Sequence, residues 1–126
     1  MLPFTIGEIA RRAGVAPSTI RYYEQIGLLP PAQRVNGKRR YDADILRQLN
    51  VIRLAQQAGF TLEEIRRLLD GFAPDAPPAV RWRAVGERKR AELDALLAAV
   101  QRQRAILEAL LRCRCANLDE CAAGAA

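Results

Sequence analysis

The chain contains no histidine. That absence removes the side chain best suited to acid–base catalysis near neutral pH and the commonest nitrogen ligand for metals. There is no Gly-rich phosphate loop, and the paired carboxylates Glu63-Glu64 and Asp119-Glu120 have simpler roles in capping and solvation, so an enzyme is not expected. No run of 18 or more uncharged apolar residues occurs, which excludes a membrane-spanning helix. The start Met1-Leu2-Pro3-Phe4-Thr5 lacks the basic and apolar segments of a signal peptide, which points to the cytoplasm. Lysine is scarce, with two against 18 arginines. Cysteine is limited to Cys113, Cys115 and Cys121, an odd number that cannot all pair within one chain in a compartment that keeps thiols reduced.

What is present is basic and helical. The 126 residues carry a formal charge of +6, and arginine suits bidentate contact with phosphate or guanine. Thr5-Ile6-Gly7-Glu8 reads as a capping box opening a short helix that Gly14 can end. Pro17 then opens a second helix. Ile6, Ile9, Ala10, Val15, Ile20 and Tyr23 are spaced to pack the pair together, which makes a helix-turn-helix.

Beyond Pro31 the polar stretch Arg34-Val35-Asn36-Gly37-Lys38-Arg39-Arg40-Tyr41 carries the Asn-Gly signal of a tight hairpin. A basic hairpin beside a helix-turn-helix is a wing placed to grip phosphates. Asp42 caps a third helix to about Gln57, with Ile45, Leu46, Leu49, Ile52 and Leu54 expected on its buried side. Thr61-Leu62-Glu63-Glu64 is a second capping box, opening a fourth helix to about Leu69. The proline-rich segment from Gly71 to Pro78 is expected to be a hinge or linker.

From Ala79 to Leu111 there is no proline. Leu93, Leu96, Val100, Gln103, Leu107 and Leu110 alternate in steps of three and four, an a/d seam interrupted once by Gln103. A helix of that length spans about 50 Å, more than the other helices can cover, so a second copy of the chain is the expected partner. Folding back on its own head is the alternative.

The run Thr5-Ile6-Gly7-Glu8-Ile9-Ala10, with Gly14-Val15, Thr19-Ile20-Arg21-Tyr22-Tyr23-Glu24, Gly27-Leu28-Leu29 and Arg39-Arg40-Tyr41, resembles the winged-helix domain of the MerR family of bacterial transcription regulators. The resemblance implies a mainly α protein with four parts. A winged helix-turn-helix DNA-binding domain would occupy residues 1–72, a linker 73–78, a dimerisation helix 79–111 and an effector-sensing tail 112–126. It also implies a homodimer joined by an antiparallel coiled coil, bound to pseudo-palindromic double-stranded promoter DNA. Effector binding would bend and untwist that DNA so that RNA polymerase engages both promoter elements.

Ser18, Thr19, Arg21 and Tyr22 would then face the major groove. Arg34, Lys38 and Arg39, with Tyr22 and Tyr41 as hydroxyl donors, would hold the backbone. Tyr23 reads as core, Tyr41 as either contact or packing, and Arg40 as a partner for Asp42 or Asp44.

The tail leaves the effector open. Seven residues separate Cys113 from Cys121, a spacing similar to the loop of copper-sensing relatives. A cysteine that divalent-metal sensors carry at the start of the partner's dimerisation helix corresponds here to Ala79. Cys113, Cys115 and Cys121 also resemble the last three cysteines of SoxR-like [2Fe–2S] sensors, which share a tryptophan at the position of Trp82. The first cysteine of those proteins is replaced by Leu110, so a cluster would need Asp119, Glu120 or an external thiol as its fourth ligand. Three routes follow: a soft ion such as Cu(I), Hg(II) or Zn(II) on the thiolates, an iron–sulfur cluster, or thiol oxidation helped by Arg112 and Arg114, whose charges should lower the thiol pKa values. Three unliganded surface cysteines are the remaining reading.

Overall fold

The computed structural model describes residues 2–124, with the side chains of Ala123 and Gly124 outside the description. Met1, Ala125 and Ala126, the ends of the expected head and tail, lie outside the described residues. The element order is β1 (Phe4–Thr5), α1 (Ile6–Ala13), α2 (Pro17–Gln25), β2 (Gln33–Val35), β3 (Lys38–Tyr41), α3 (Ala43–Gln57), α4 (Leu62–Asp70), α5 (Pro78–Leu111) and α6 (Leu118–Gly124). This is a mainly α chain with a winged helix-turn-helix head and a long C-terminal helix. No described helix is long and apolar enough to cross a membrane.

Local chemistry explains most boundaries. Gly14 ends α1 at φ 71°, a left-handed conformation that costs glycine nothing, and the Val15 N–H closes back to the Ala10 carbonyl at 3.0 Å. Asn36 and Gly37 take φ values of 53° and 77°, the turn geometry that matches strand twist in a two-residue hairpin. Its register pairs Arg34 with Arg39 and Val35 with Lys38. The Asp42 carboxylate accepts from the Asp44 and Ile45 N–H groups and so caps α3. Thr61 and Glu64 complete a reciprocal capping box on α4.

Four expectations need correction. At α1 only half of the expected box is present, with Thr5 Oγ1 accepting from the Glu8 N–H. The Thr5 backbone instead belongs to β1, an unexpected strand that pairs with Arg40 and makes β3 the central strand of three. On α3, Leu54 is 55% exposed and Ala55 is buried in its place. Ile45, Leu49 and Ile52 step by four and three residues, so the next position on their face is 55. Arg40 pairs with neither Asp42 nor Asp44; its guanidinium donates to the carbonyls of Leu2 and Pro3, while Asp44 pairs with Arg47.

The chain divides into two compact units, the first ending at Val85 and the second beginning at Gly86. In the first, Ile9, Ile20, Leu29, Leu49, Ile52 and Ile65 are almost wholly buried. The first turns of α5 belong to this unit because Trp82 meets Phe60 edge-on, with ring centroids 6.0 Å apart, and because of Arg81. The Arg81 guanidinium donates to the carbonyls of Leu68, Leu69, Ala73, Pro74 and Ala76. One side chain thus caps the end of α4 and ties down the proline-rich segment expected to be a hinge or linker. In the second unit Leu93, Leu96, Val100, Leu107 and Leu110 are each between 44% and 59% exposed.

Candidate nucleic-acid interface and thiol cluster

The second helix and the wing together frame a basic groove. A space of about 570 Å³ is lined by Arg21, Glu24 and Gln25 of α2, Pro31 and Ala32, and Arg34 and Arg39 of the hairpin. A second, of about 340 Å³, shares Arg21, Arg34 and Arg39 and adds Lys38 and Arg40. Arginines adjacent on this surface make a positive potential that a phosphate backbone can neutralise.

The expected contact residues divide by exposure. Ser18 is exposed and Thr19 half-buried on the first turn of α2, and Arg21 and Tyr22 are exposed. Arg34 and Lys38 are exposed on the hairpin, with the Arg34 guanidinium donating to the Gly37 carbonyl at 3.0 Å across the turn. Arg39 is partly buried, and its Nε donates to Glu24 at 3.2 Å.

Tyr41 is the exception. It is 2% exposed and its hydroxyl donates to the other Glu24 oxygen at 2.7 Å. Burial, followed by that hydrogen bond, raises its pKa far above the usual phenol value. Tyr41 is therefore core that holds Glu24, and its hydroxyl is not free for a backbone phosphate. Tyr23 is core as expected.

Glu24 is the residue sequence reasoning passed over. Its side chain is only 8% exposed, and it joins α2 to β3 through Arg39 and Tyr41. An acid among the arginines of a nucleic-acid surface is the signal that could have drawn attention to it. Arg81 offers no comparable signal, because nothing in the sequence shows that five carbonyls converge on it.

In the second unit the chain leaves α5 and turns back at α6. Asn117 caps the last helix by accepting the Glu120 N–H at 3.0 Å, and the Glu120 carboxylate accepts the Ala116 N–H at 2.9 Å. This places Cys121 opposite Cys113 and Cys115, and all three sulfurs lie within 4.8 Å of one another. A zinc–sulfur bond of about 2.3 Å in a flat trigonal site separates sulfurs by about 4.0 Å, so the donors fit a soft ion with small adjustments. Neither Asp119 nor Glu120 joins the converging group. The Ala116 N–H donates to one oxygen of the Glu120 carboxylate, and no fourth ligand for an iron–sulfur cluster joins the three sulfurs among the described residues.

The thiols are not equivalent. Cys113 has a lowered pKa because the Cys115 thiol and then the Cys115 N–H donate to its sulfur, the latter at 3.3 Å, with Cys121 adding a weaker donor. Cys115 is pushed up to about 11, first because its proton is shared with Cys113 and then by loss of hydration and the neighbouring sulfur charges. The expectation that Arg112 and Arg114 would lower the thiol values is corrected accordingly, since sulfur–sulfur hydrogen bonding governs both shifts.

Residues 4–71 match the family model described as MerR HTH family regulatory protein, and residues 46–110 match one described as MerR, DNA binding. A SoxR homolog from Chromobacterium violaceum, described as an HTH-type transcriptional activator, is 34% identical over 93% of this chain and 80% of its own. The HTH-type transcriptional regulator HmrR of Rhizobium leguminosarum is 33% identical over 95% of this chain and 98% of its own. Among solved structures, the transcription regulator PbrR691 from Ralstonia metallidurans CH34, in complex with lead(II), superposes with a TM-score of 0.75 at 30% identity, covering 90% of both chains.

Proposed function

The chain belongs to the MerR HTH family of regulatory proteins, and from that premise we propose that it is a thiol-dependent sensor acting on a promoter as a homodimer. It is a DNA-binding transcriptional regulator. In the proposed division of labour, residues 1–72 read DNA, 73–78 connect, 79–111 dimerise and 112–126 sense. Arg21 with Ser18, Thr19 and Tyr22 approaches the bases, and Arg34, Lys38 and Arg39 grip phosphates. The exposed seam of α5, running from Leu93 to Leu110, pairs with a second copy as an antiparallel coiled coil, because a face of that size is poorly tolerated in water.

The observation that carries the sensing role is the convergence of Cys113, Cys115 and Cys121. The triad binds a soft ion or is oxidised. The dimer then bends and untwists its operator, allowing RNA polymerase to engage both promoter elements. Relatives described as metal-dependent or metal-bound regulators support the first trigger.

The test is transcription from the protein's own upstream region, with soft ions or an oxidant added to anaerobic protein. Replacing each cysteine by serine is expected to leave operator affinity intact and remove the response. A response that survives in all three variants would show that the tail does not sense.

A further inference from the structure

We propose that Asn36, at the tip of the wing, is a site of spontaneous covalent modification, in which its side-chain amide is lost through attack by the Gly37 nitrogen and a carboxylate takes its place beside the basic groove. The chemistry depends only on the turn. Its effect on DNA binding rests on the phosphate-gripping role proposed for the wing.

Asn36 and Gly37 are both exposed and form the two-residue turn between β2 and β3. The register pairs Val35 with Lys38, so neither turn residue is a rung of the ladder. Gly37 has no side chain to shield its nitrogen, and a methyl group on its Cα would meet nothing within 4 Å. Attack requires the Asn36 backbone to rotate out of the turn, where it sits at φ 53°, an uncommon conformation for a residue with a Cβ. The edge strand β2 holds the turn weakly, because all of its residues are exposed. Positive charge is close by: the Arg34 guanidinium donates to the Gly37 carbonyl at 3.0 Å, and Lys38 is the next residue. Such a field favours the deprotonated nitrogen that acts as nucleophile. Asn50 lies inside α3 and is followed by Val51, and Asn117 caps α6 with Leu118 next to it. Neither has an unshielded nitrogen beside it.

The step balances without redox chemistry. The Gly37 nitrogen loses its proton and bonds to the side-chain carbonyl carbon of Asn36. The bond from that carbon to the amide nitrogen breaks, and ammonia leaves with the proton. Water then opens the cyclic imide, at one carbonyl to give aspartate and at the other to give isoaspartate.

The two products act differently. Aspartate before glycine suits the same turn as asparagine, so the aspartyl product keeps the hairpin and adds a negative charge. Gly37 lines a space together with Arg21, Arg34, Lys38 and Arg39, so the new charge opposes the same phosphates and cancels about one cationic contact. The isoaspartyl product lengthens the main chain by a methylene, which a two-residue turn closed by Val35 and Lys38 does not accommodate.

Full-length protein aged without DNA in mildly alkaline buffer and then cut with trypsin reads the conversion directly. The peptide of residues 35–38 is expected to gain the mass difference between an amide and an acid, and its isoaspartyl fraction to accept a methyl group from an isoaspartyl methyltransferase. Asn50 and Asn117 should stay unchanged. Operator affinity should fall as the modified fraction rises. Asn36→Asp should keep the fold, weaken operator binding about tenfold at low salt and reduce the salt slope by about one unit. Asn36→Gly retains a turn-forming pair but has no side-chain amide, and it should hold its affinity through the same ageing. Conversion no faster at Asn36 than at Asn50 would overturn the proposed site. If Asn36 converts and Lys38→Ala weakens binding, but Asn36→Asp binds like the unmodified protein, the proposed consequence is wrong and the wing still grips phosphate. If neither variant changes binding, the role of the wing falls as well.

Discussion

Glu24, near the end of the second helix, accepts the hydroxyl of Tyr41, the last residue of the wing, at 2.7 Å. Arg39 donates to the other carboxylate oxygen at 3.2 Å. One acid therefore sets the angle between the two elements of the basic groove. Glu24→Ala should lower unfolding stability by about 2–3 kcal/mol, since the donors it leaves behind are partly buried. Tyr41→Phe should cost about 1 kcal/mol. Urea unfolding of both single variants and the double variant gives the coupling. Strict additivity would mean that the two residues do not act through each other.

Tyr41 also predicts an alkaline limit. Its folded pKa is raised above the ordinary 10.0, so the neutral phenol is the form the fold favours. That stabilisation is fully present below pH 10 and is lost as pH rises toward the folded value. Stability measured from neutral pH to pH 11 should fall at the alkaline end, and Tyr41→Phe should flatten the fall.

Arg81 holds five carbonyls with one planar fork. A lysine keeps the charge but cannot reach them together. Arg81→Lys should therefore cost about 2 kcal/mol, and hydrogen exchange should speed up selectively from residue 69 to residue 77. Uniform acceleration across the head would point to general destabilisation instead.

The exposed leucines of α5 predict assembly. Leu96→Asp or Leu107→Asp places a charge where the seam would pack and should convert a dimer to monomers, with loss of tight operator binding. Light scattering decides between this outcome and an unchanged mass, which would show that the helix does not pair through this face.

Contacts in the groove should separate by type. Lys38→Ala should weaken binding to all sequences and reduce the salt slope by about one unit. Arg21→Ala should cost specific binding more, by about 1–3 kcal/mol if it reads a base. Operator affinity unaffected by Arg21→Ala would move the reading surface elsewhere on α2.

Most local signals in the sequence are sound guides, the half-formed box at Thr5 being the exception. The Asn36-Gly37 turn, the Asp42 cap and the Thr61–Glu64 box depend on residues within three positions of one another, and all are present. Non-local features were not legible. β1 is two residues long and owes its existence to Arg40 and Tyr41, far along the chain. Tyr41 could be read as a contact or as core until burial decided. The three cysteines stood out by spacing, but their unequal acidity depends on which sulfur donates to which, and no pattern of letters encodes that. Glu24 was visible only as one letter of a motif.

The division after Val85 has a consequence for the order in which the chain is made. Every residue of the head precedes the leucine face of α5, so synthesis from the N-terminus delivers the whole head before the seam exists. At about 5–20 residues per second, the stretch from Val85 to Leu110 takes roughly one to five seconds to add. During that interval the head's core can close without a competing apolar surface beside it. The exposed leucine face of α5 is thus added only after every residue of the head's core has been made.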